Sequence, residues 1–273
     1  MNLIEQICYW TAALLSAAAF FTSLLGTVFK RVKPFRFAGS FLTGALGVLT
    51  AFGVARWVRV GHPPFVTLFE SMITSIWFLL LLHQIIFRLR REQGTVLLLP
   101  VSAVVFLLMG WAFSLPAEAT PLSAALSNVW LFIHASFATS GAASFLIAAS
   151  LSVIYLLGEK RSHPPQANSA PPETLAPLKT ILNFLIFGLI LWGVMIASGS
   201  IWAHVAWGRY WAWDPIELWS LISWLVYALL IHVRLTVKFS PRWFCRLNII
   251  AVAIVLFALW GVHYVYETIH TYG

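Results

Sequence analysis

The residues of this chain whose types and spacing can do chemistry are its eight histidines and one stretch dense in tryptophan. The stretch reads Trp202-Ala-His-Val-Ala-Trp207-Gly208-Arg209-Tyr210-Trp211-Ala-Trp213-Asp214-Pro215-Ile-Glu217-Leu-Trp219, five tryptophans in 18 residues. Indole faces stack on a large, flat, apolar ligand; Gly208 lets backbone approach it closely, and Arg209 can pair with a carboxylate on it. The plain alternative is an interfacial aromatic belt, since Trp favours the headgroup region of a bilayer. A belt spreads its aromatics around the molecule, whereas these fall in one segment with Gly208, Asp214 and Pro215 between them. Asp214 followed by Pro215 is a helix start, and Glu217 three residues later completes a capping box, which accounts for both acids without a ligand. A lone histidine on an apolar helix is more often a hydrogen-bonding group than a metal ligand. No nucleophile and base stand together, so no side chain is assigned a catalytic role.

The elements that must position these residues are membrane helices. Of 273 residues, 60% are hydrophobic and 10% charged, against about a quarter charged in a soluble domain. Eight apolar runs, near 4–29, 38–57, 67–87, 95–113, 129–157, 180–201, 217–235 and 246–268, reach the roughly 20 residues that a spanning helix needs. The expectation is an all-α, polytopic integral membrane protein, one transmembrane domain over 1–273. A Pro-rich linker at 158–178 and a Trp-rich loop at 202–219 interrupt it. The first run has Glu5 where a signal peptide would be positive, so it reads as an uncleaved span. A net charge of +8 would suggest nucleic acid in a soluble protein. Here Lys30, Arg31, Lys33 and Arg36, then Arg88, Arg90 and Arg91, then Lys160, Arg161 and Lys179, then Arg234, Lys238, Arg242 and Arg246 fill alternate loops. The other loops hold Arg56, Arg59 and Arg209. By the positive-inside rule both termini and the tryptophan stretch are outside, the linker is cytoplasmic, and no nucleic-acid partner is expected. Cys8 and Cys245 fall on opposite sides and cannot pair.

The segment W-A-x-x-A-W-G-x-Y-W-x-W-D-P-x-E-x-W resembles the "WWD" signature of the cytochrome c assembly family, and is closest to its CcsA (ResC) branch. Gly61-His62-Pro63-Pro64-Phe65, Val129-Trp130-Leu131-Phe132-Ile133-His134 and Ile269-His270-Thr271-Tyr272-Gly273 resemble it too. The resemblance implies that haem b is held at the outer membrane face and presented for covalent attachment to apocytochrome c, after passage across the membrane. It implies a cofactor site of Trp202, Trp207, Gly208, Arg209, Trp211, Trp213 and Asp214, with iron between two external histidines at the positions of His134 and His270. His232 matches an intramembrane histidine, an inner ligand whose partner comes from a companion membrane protein of the CcsB (ResB) type. The whole would be a subunit of a holocytochrome c synthase, or haem lyase, in a bacterial cytoplasmic (inner) membrane or a thylakoid membrane. A CcmC-type protein loading haem onto a chaperone and a HemX-like membrane regulator are the alternatives.

Helical rise is compatible with that ligand set. His134 lies about 9 Å inside the start of span five, and span eight, rising from Arg246, puts His270 about 36 Å along, beyond a core of about 30 Å. His263, one heptad earlier, competes with His270 and reads as structural. His204 and His62 read as interfacial, and His163 carries no signal. His83 is a lesser alternative to His232 as an inner ligand.

Overall fold

The computed structural model describes residues 1–30, 32–118, 126–161, 177–237 and 239–268, apart from the side chains of 32–34 and 159–161. Eight helices are long and apolar enough to cross a membrane, with no strand among the described residues, so the chain is an all-helical multi-pass membrane protein. They are α1 (Leu3–Val28), α2 (Val32–Val60), α3 (Leu68–Leu89), α4 (Arg91–Phe113), α5 (Val129–Arg161), α6 (Leu178–Trp207), α7 (Pro215–Thr236) and α8 (Pro241–Val265). A bilayer core offers no water to satisfy the backbone, so apolar runs of this length fold as helices.

Short polar signals set the starts. Asn2 caps α1 by accepting the Glu5 N–H at 2.8 Å, and Thr67 with Glu70 forms a capping box on α3. The expected box of Asp214 and Glu217 opens α7, with Pro215 in its first turn. Gly208 ends α6 in the left-handed conformation at φ 75°, which costs glycine nothing.

Two ends differ from the sequence expectation. Residues 202–207 continue α6 as two further turns, because Trp-Ala-His-Val-Ala-Trp contains no helix breaker before Gly208. The irregular part of the tryptophan stretch is therefore 208–214. α8 contains a π turn at Phe257–Gly261 and stops at Val265, with Tyr266 extended at φ −125° and ψ 144°. The helix therefore ends short of the expected boundary at 268. His270, His163 and most of the Pro-rich linker lie outside the described residues.

α5 is the most buried span and the centre of the bundle. It joins the α1–α4 half to α6, α7 and α8. Small residues let α6 approach it: a Cβ at Gly188 would stand 2.7 Å from the Phe145 ring. Phe145 in turn stacks on Tyr227 of α7 at 3.8 Å and 3°.

One end of the bundle is fixed by an ion cluster. Arg56 of α2 donates to Glu70 of α3 at 2.7 Å and to Glu5 of α1 at 3.2 Å. It also donates to the carbonyls of Ala117 and Glu118 after α4. Arg59 pairs with Glu5 as well. Phe65 then meets Phe132 of α5 at 6.4 Å, and His134 of α5 meets the last turns of α6. The starts of α1, α3 and α5 and the ends of α2, α4 and α6 thus share the tryptophan end. Among the described residues, Lys30, Arg36, Arg88, Arg90, Arg91, Lys179, Arg234, Arg242 and Arg246 fall at the opposite, basic end.

Candidate functional site

The site is assembled by the close approach of α5 and α6 and by the turn that follows α6. Asn128 accepts the Trp130 N–H at 2.9 Å at the start of α5, and His134 follows within the next turn. Its Nδ1 lies 2.9 Å from the Met195 carbonyl of α6. A carbonyl can only accept, so Nδ1 carries the proton and Nε2 carries the lone pair in the neutral ring. The ring packs on the Trp202 indole at 5.9 Å and 30°, and Trp202 meets Trp207 at 5.0 Å.

Beyond Gly208 the chain doubles back. Tyr210 stacks on His204 at 4.1 Å and 7°. The Glu217 carboxylate accepts the N–H groups of Ala212 at 2.8 Å and Asp214 at 3.2 Å, and Asp214 accepts the Ile216 N–H at 3.0 Å. Trp213, between the two clamped amides, is held at φ 59°. A left-handed residue with a Cβ costs about 1–2 kcal/mol. Each of the two amide hydrogen bonds to Glu217 contributes about 0.5–1.5 kcal/mol net, and together they offset it. The clamp sends consecutive odd-numbered indoles different ways: Trp211 lines the recess below, while Trp213 is 69% exposed.

A shallow recess is walled by His134, Met195, Gly199, Trp202, Tyr210 and Trp211. Ser200, Glu217 and Ser220 add polar groups. Two indoles, a phenol and one oriented imidazole make its walls largely aromatic.

The remaining predicted site residues are placed as follows. Trp207 meets Trp202 of the recess wall, Trp213 meets Trp211 edge-on at 5.9 Å, and Arg209 and Trp213 are exposed. Asp214 is buried beneath the turn as a helix cap. His232 is on α7 four residues before its end, exposed on the bundle surface, about 26 Å below Pro215 along the helix. His83 is fully buried near the basic end, its Nε2 3.1 Å from the Gly94 carbonyl, and so ties α3 to α4. His62, in the segment between α2 and α3, is buried with Nδ1 3.0 Å from the Pro63 carbonyl.

Gly199 and the Met195 carbonyl were not foreseen. The only sequence signal is a run of small residues in α6, and a single sequence does not say which helix they face. Arg56, Glu5 and Glu70 were legible as charges near span ends, but their mutual pairing was not.

A family model described as "Cytochrome C assembly protein" matches residues 65–270. The chain is 29% identical over 299 aligned positions to "Cytochrome c biogenesis protein CcsA" of Guillardia theta, covering 99% of this chain and 92% of that protein. To the protein of the same name in Prochlorococcus marinus it is 30% identical, covering 81% of this chain and 78% of that one. To that of Chlamydomonas reinhardtii it is 34% identical, covering 81% of this chain but only 64% of the other. A solved structure titled "Cytochrome c Heme Lyase CcmF" has a similar fold, with a TM-score of 0.71 at 17% identity. The match covers 95% of this chain and about half, 47%, of that one.

Proposed function

Because this chain belongs to the cytochrome c assembly protein family, we propose that it serves cytochrome c biogenesis by holding haem in the aromatic recess and presenting it to apocytochrome c. The observation that carries this reading is the His134 imidazole, fixed by the Met195 carbonyl inside a recess walled by Trp202 and Trp211. A histidine that donates one ring N–H to a backbone carbonyl is the usual arrangement of a metal-ligating imidazole.

In this reading His134 supplies one axial nitrogen to b-type haem and His270 the other, and the tryptophan end faces outward, with both termini outside. Trp202 and Trp211 support the macrocycle faces, and exposed Arg209 pairs with a propionate. Haem contributes the vinyl groups to which apocytochrome cysteines add: each thiol sulfur bonds one vinyl carbon and its proton goes to the other. This chain's residues position that edge and keep it dry.

His232, exposed near the basic end, is an inner ligand completed by a CcsB (ResB)-like partner in the same bilayer. An ionisable group exposed on a membrane helix favours such cover. The membrane is a bacterial cytoplasmic (inner) membrane or a thylakoid membrane.

The test is holocytochrome c formation in cells that express this protein with a CcsB-like partner. His134→Ala and His270→Ala should abolish it, with partial recovery in added imidazole. His232→Ala should lower it by reducing the supply of haem to the outer site. Wild-type output from both outer variants would overturn the ligand set, and wild-type output from His232→Ala would remove the inner site.

A further inference from the structure

We infer that Gly199 is a positioning residue for His134: its missing Cβ is the space that seats the imidazole. The inference rests on His134 being a haem ligand. A Cβ built at position 199 would stand 2.5 Å from Nδ1 and 2.8 Å from Cε1 of His134. Non-bonded heavy atoms sit at about 3.5–4.0 Å, so the ring cannot keep its place beside any other residue. The contact falls on the edge that makes the Met195 hydrogen bond, and Met195 lies one turn before Gly199 on the same helix face. That carbonyl is part of the α6 backbone and cannot follow a displaced ring.

Three features of α6 therefore act together on one imidazole. The gap at Gly199 admits it, the Met195 carbonyl fixes its proton on Nδ1, and the Trp202 face limits its tilt. Pushing the ring away from α6 would break the Nδ1 hydrogen bond and misdirect Nε2 within the recess. Loss of such an orienting partner typically costs about 10–100-fold in metal affinity.

Gly188 is the natural control. It lies on the same helix and faces the same partner α5, but its Cβ would strike the Phe145 ring at 2.7 Å, away from the recess. Gly188→Ala is a packing defect and nothing more.

The experiment uses the full chain in detergent and titrates it with haem (iron protoporphyrin IX), following affinity, absorption spectrum and reduction potential. Gly199→Ala should weaken haem by about 10–100-fold and shift both spectrum and potential. Added imidazole should restore its low-spin bands. Gly188→Ala should lower thermal stability but leave spectrum and potential as in wild type. In a His134→Ala background, Gly199→Ala should change affinity by no more than about twofold, because the two substitutions act through one interaction. If Gly199→Ala accumulates poorly, recovery of folded protein in the double variant shows that the clash is with the imidazole.

A wild-type spectrum and affinity in Gly199→Ala overturns the inference while leaving the ligand reading intact. So does a loss of the same size with and without His134, or poor accumulation that His134→Ala does not relieve. A wild-type spectrum in His134→Ala overturns the ligand reading, and the inference with it.

Discussion

Two regions at the tryptophan end use polar groups in opposite ways. Around Arg56, two arginines meet two glutamates, and Arg56, Glu5 and Glu70 are wholly removed from solvent. Around His134, a single imidazole stands in an aromatic recess, beside a strained turn whose Trp213 is 69% exposed. The first region consumes its polar groups internally and joins α1, α2, α3 and the segment after α4. The second leaves walls uncovered and holds strain in place with a carboxylate clamp. Buried charge that is fully paired thus marks scaffold, whereas an imidazole fixed by a backbone carbonyl among aromatic walls marks the candidate site.

The largest expected effect comes from breaking the scaffold. Arg56→Ala would leave two buried carboxylates short of a partner, and losing one member of such a cluster costs about 3–5 kcal/mol. Thermal unfolding in detergent should show it, while whatever folded protein remains binds haem with the wild-type spectrum. A changed haem spectrum at unchanged stability would dissolve the contrast between the two regions.

Next in size is the difference between neighbouring indoles. Trp211→Ala removes a recess wall and should lower haem retention by about tenfold or more, since stacking on a flat ring contributes about 1–3 kcal/mol. Trp213→Gly removes an exposed residue and relieves a left-handed backbone, so stability should stay level or rise by up to about 1 kcal/mol. Equal losses of haem from the two variants would place Trp213 on the ligand instead.

The smallest effect is graded within the clamp. Glu217→Ala frees both amides and should lower stability by about 1–3 kcal/mol and haem retention with it. Glu217→Gln keeps an acceptor oxygen and should lose less. If the Gln variant loses haem as fully as the Ala variant at wild-type stability, the carboxylate charge itself acts on the ligand.

The span pattern was legible because lipid imposes a strong and simple constraint: all eight helices lie where the apolar runs are. Capping at Asp214 and Glu217 was legible because it depends on neighbours three residues apart. The extension of α6 through Trp207 was not, because the density of indoles in that stretch masked a run with no breaker. Nor was the early end of α8, where a π turn and the extended Tyr266 interrupt a pattern that reads as continuous. Within the site, His134 was recognisable from its motif. Its hydrogen bond to Met195 and its contact with Gly199 join residues 61 and 65 apart, and only the packing of α5 on α6 reveals them.

The central claim is that His134 presents a fixed nitrogen to haem in the recess. It is tested most directly by the absorption spectrum of haem bound to the detergent-purified protein, compared with His134→Gly before and after adding imidazole. The account predicts a low-spin, bis-histidine b-type spectrum in the wild type, its loss in His134→Gly, and its return when imidazole fills the space left by the side chain. An unchanged low-spin spectrum and haem content in His134→Gly would contradict it.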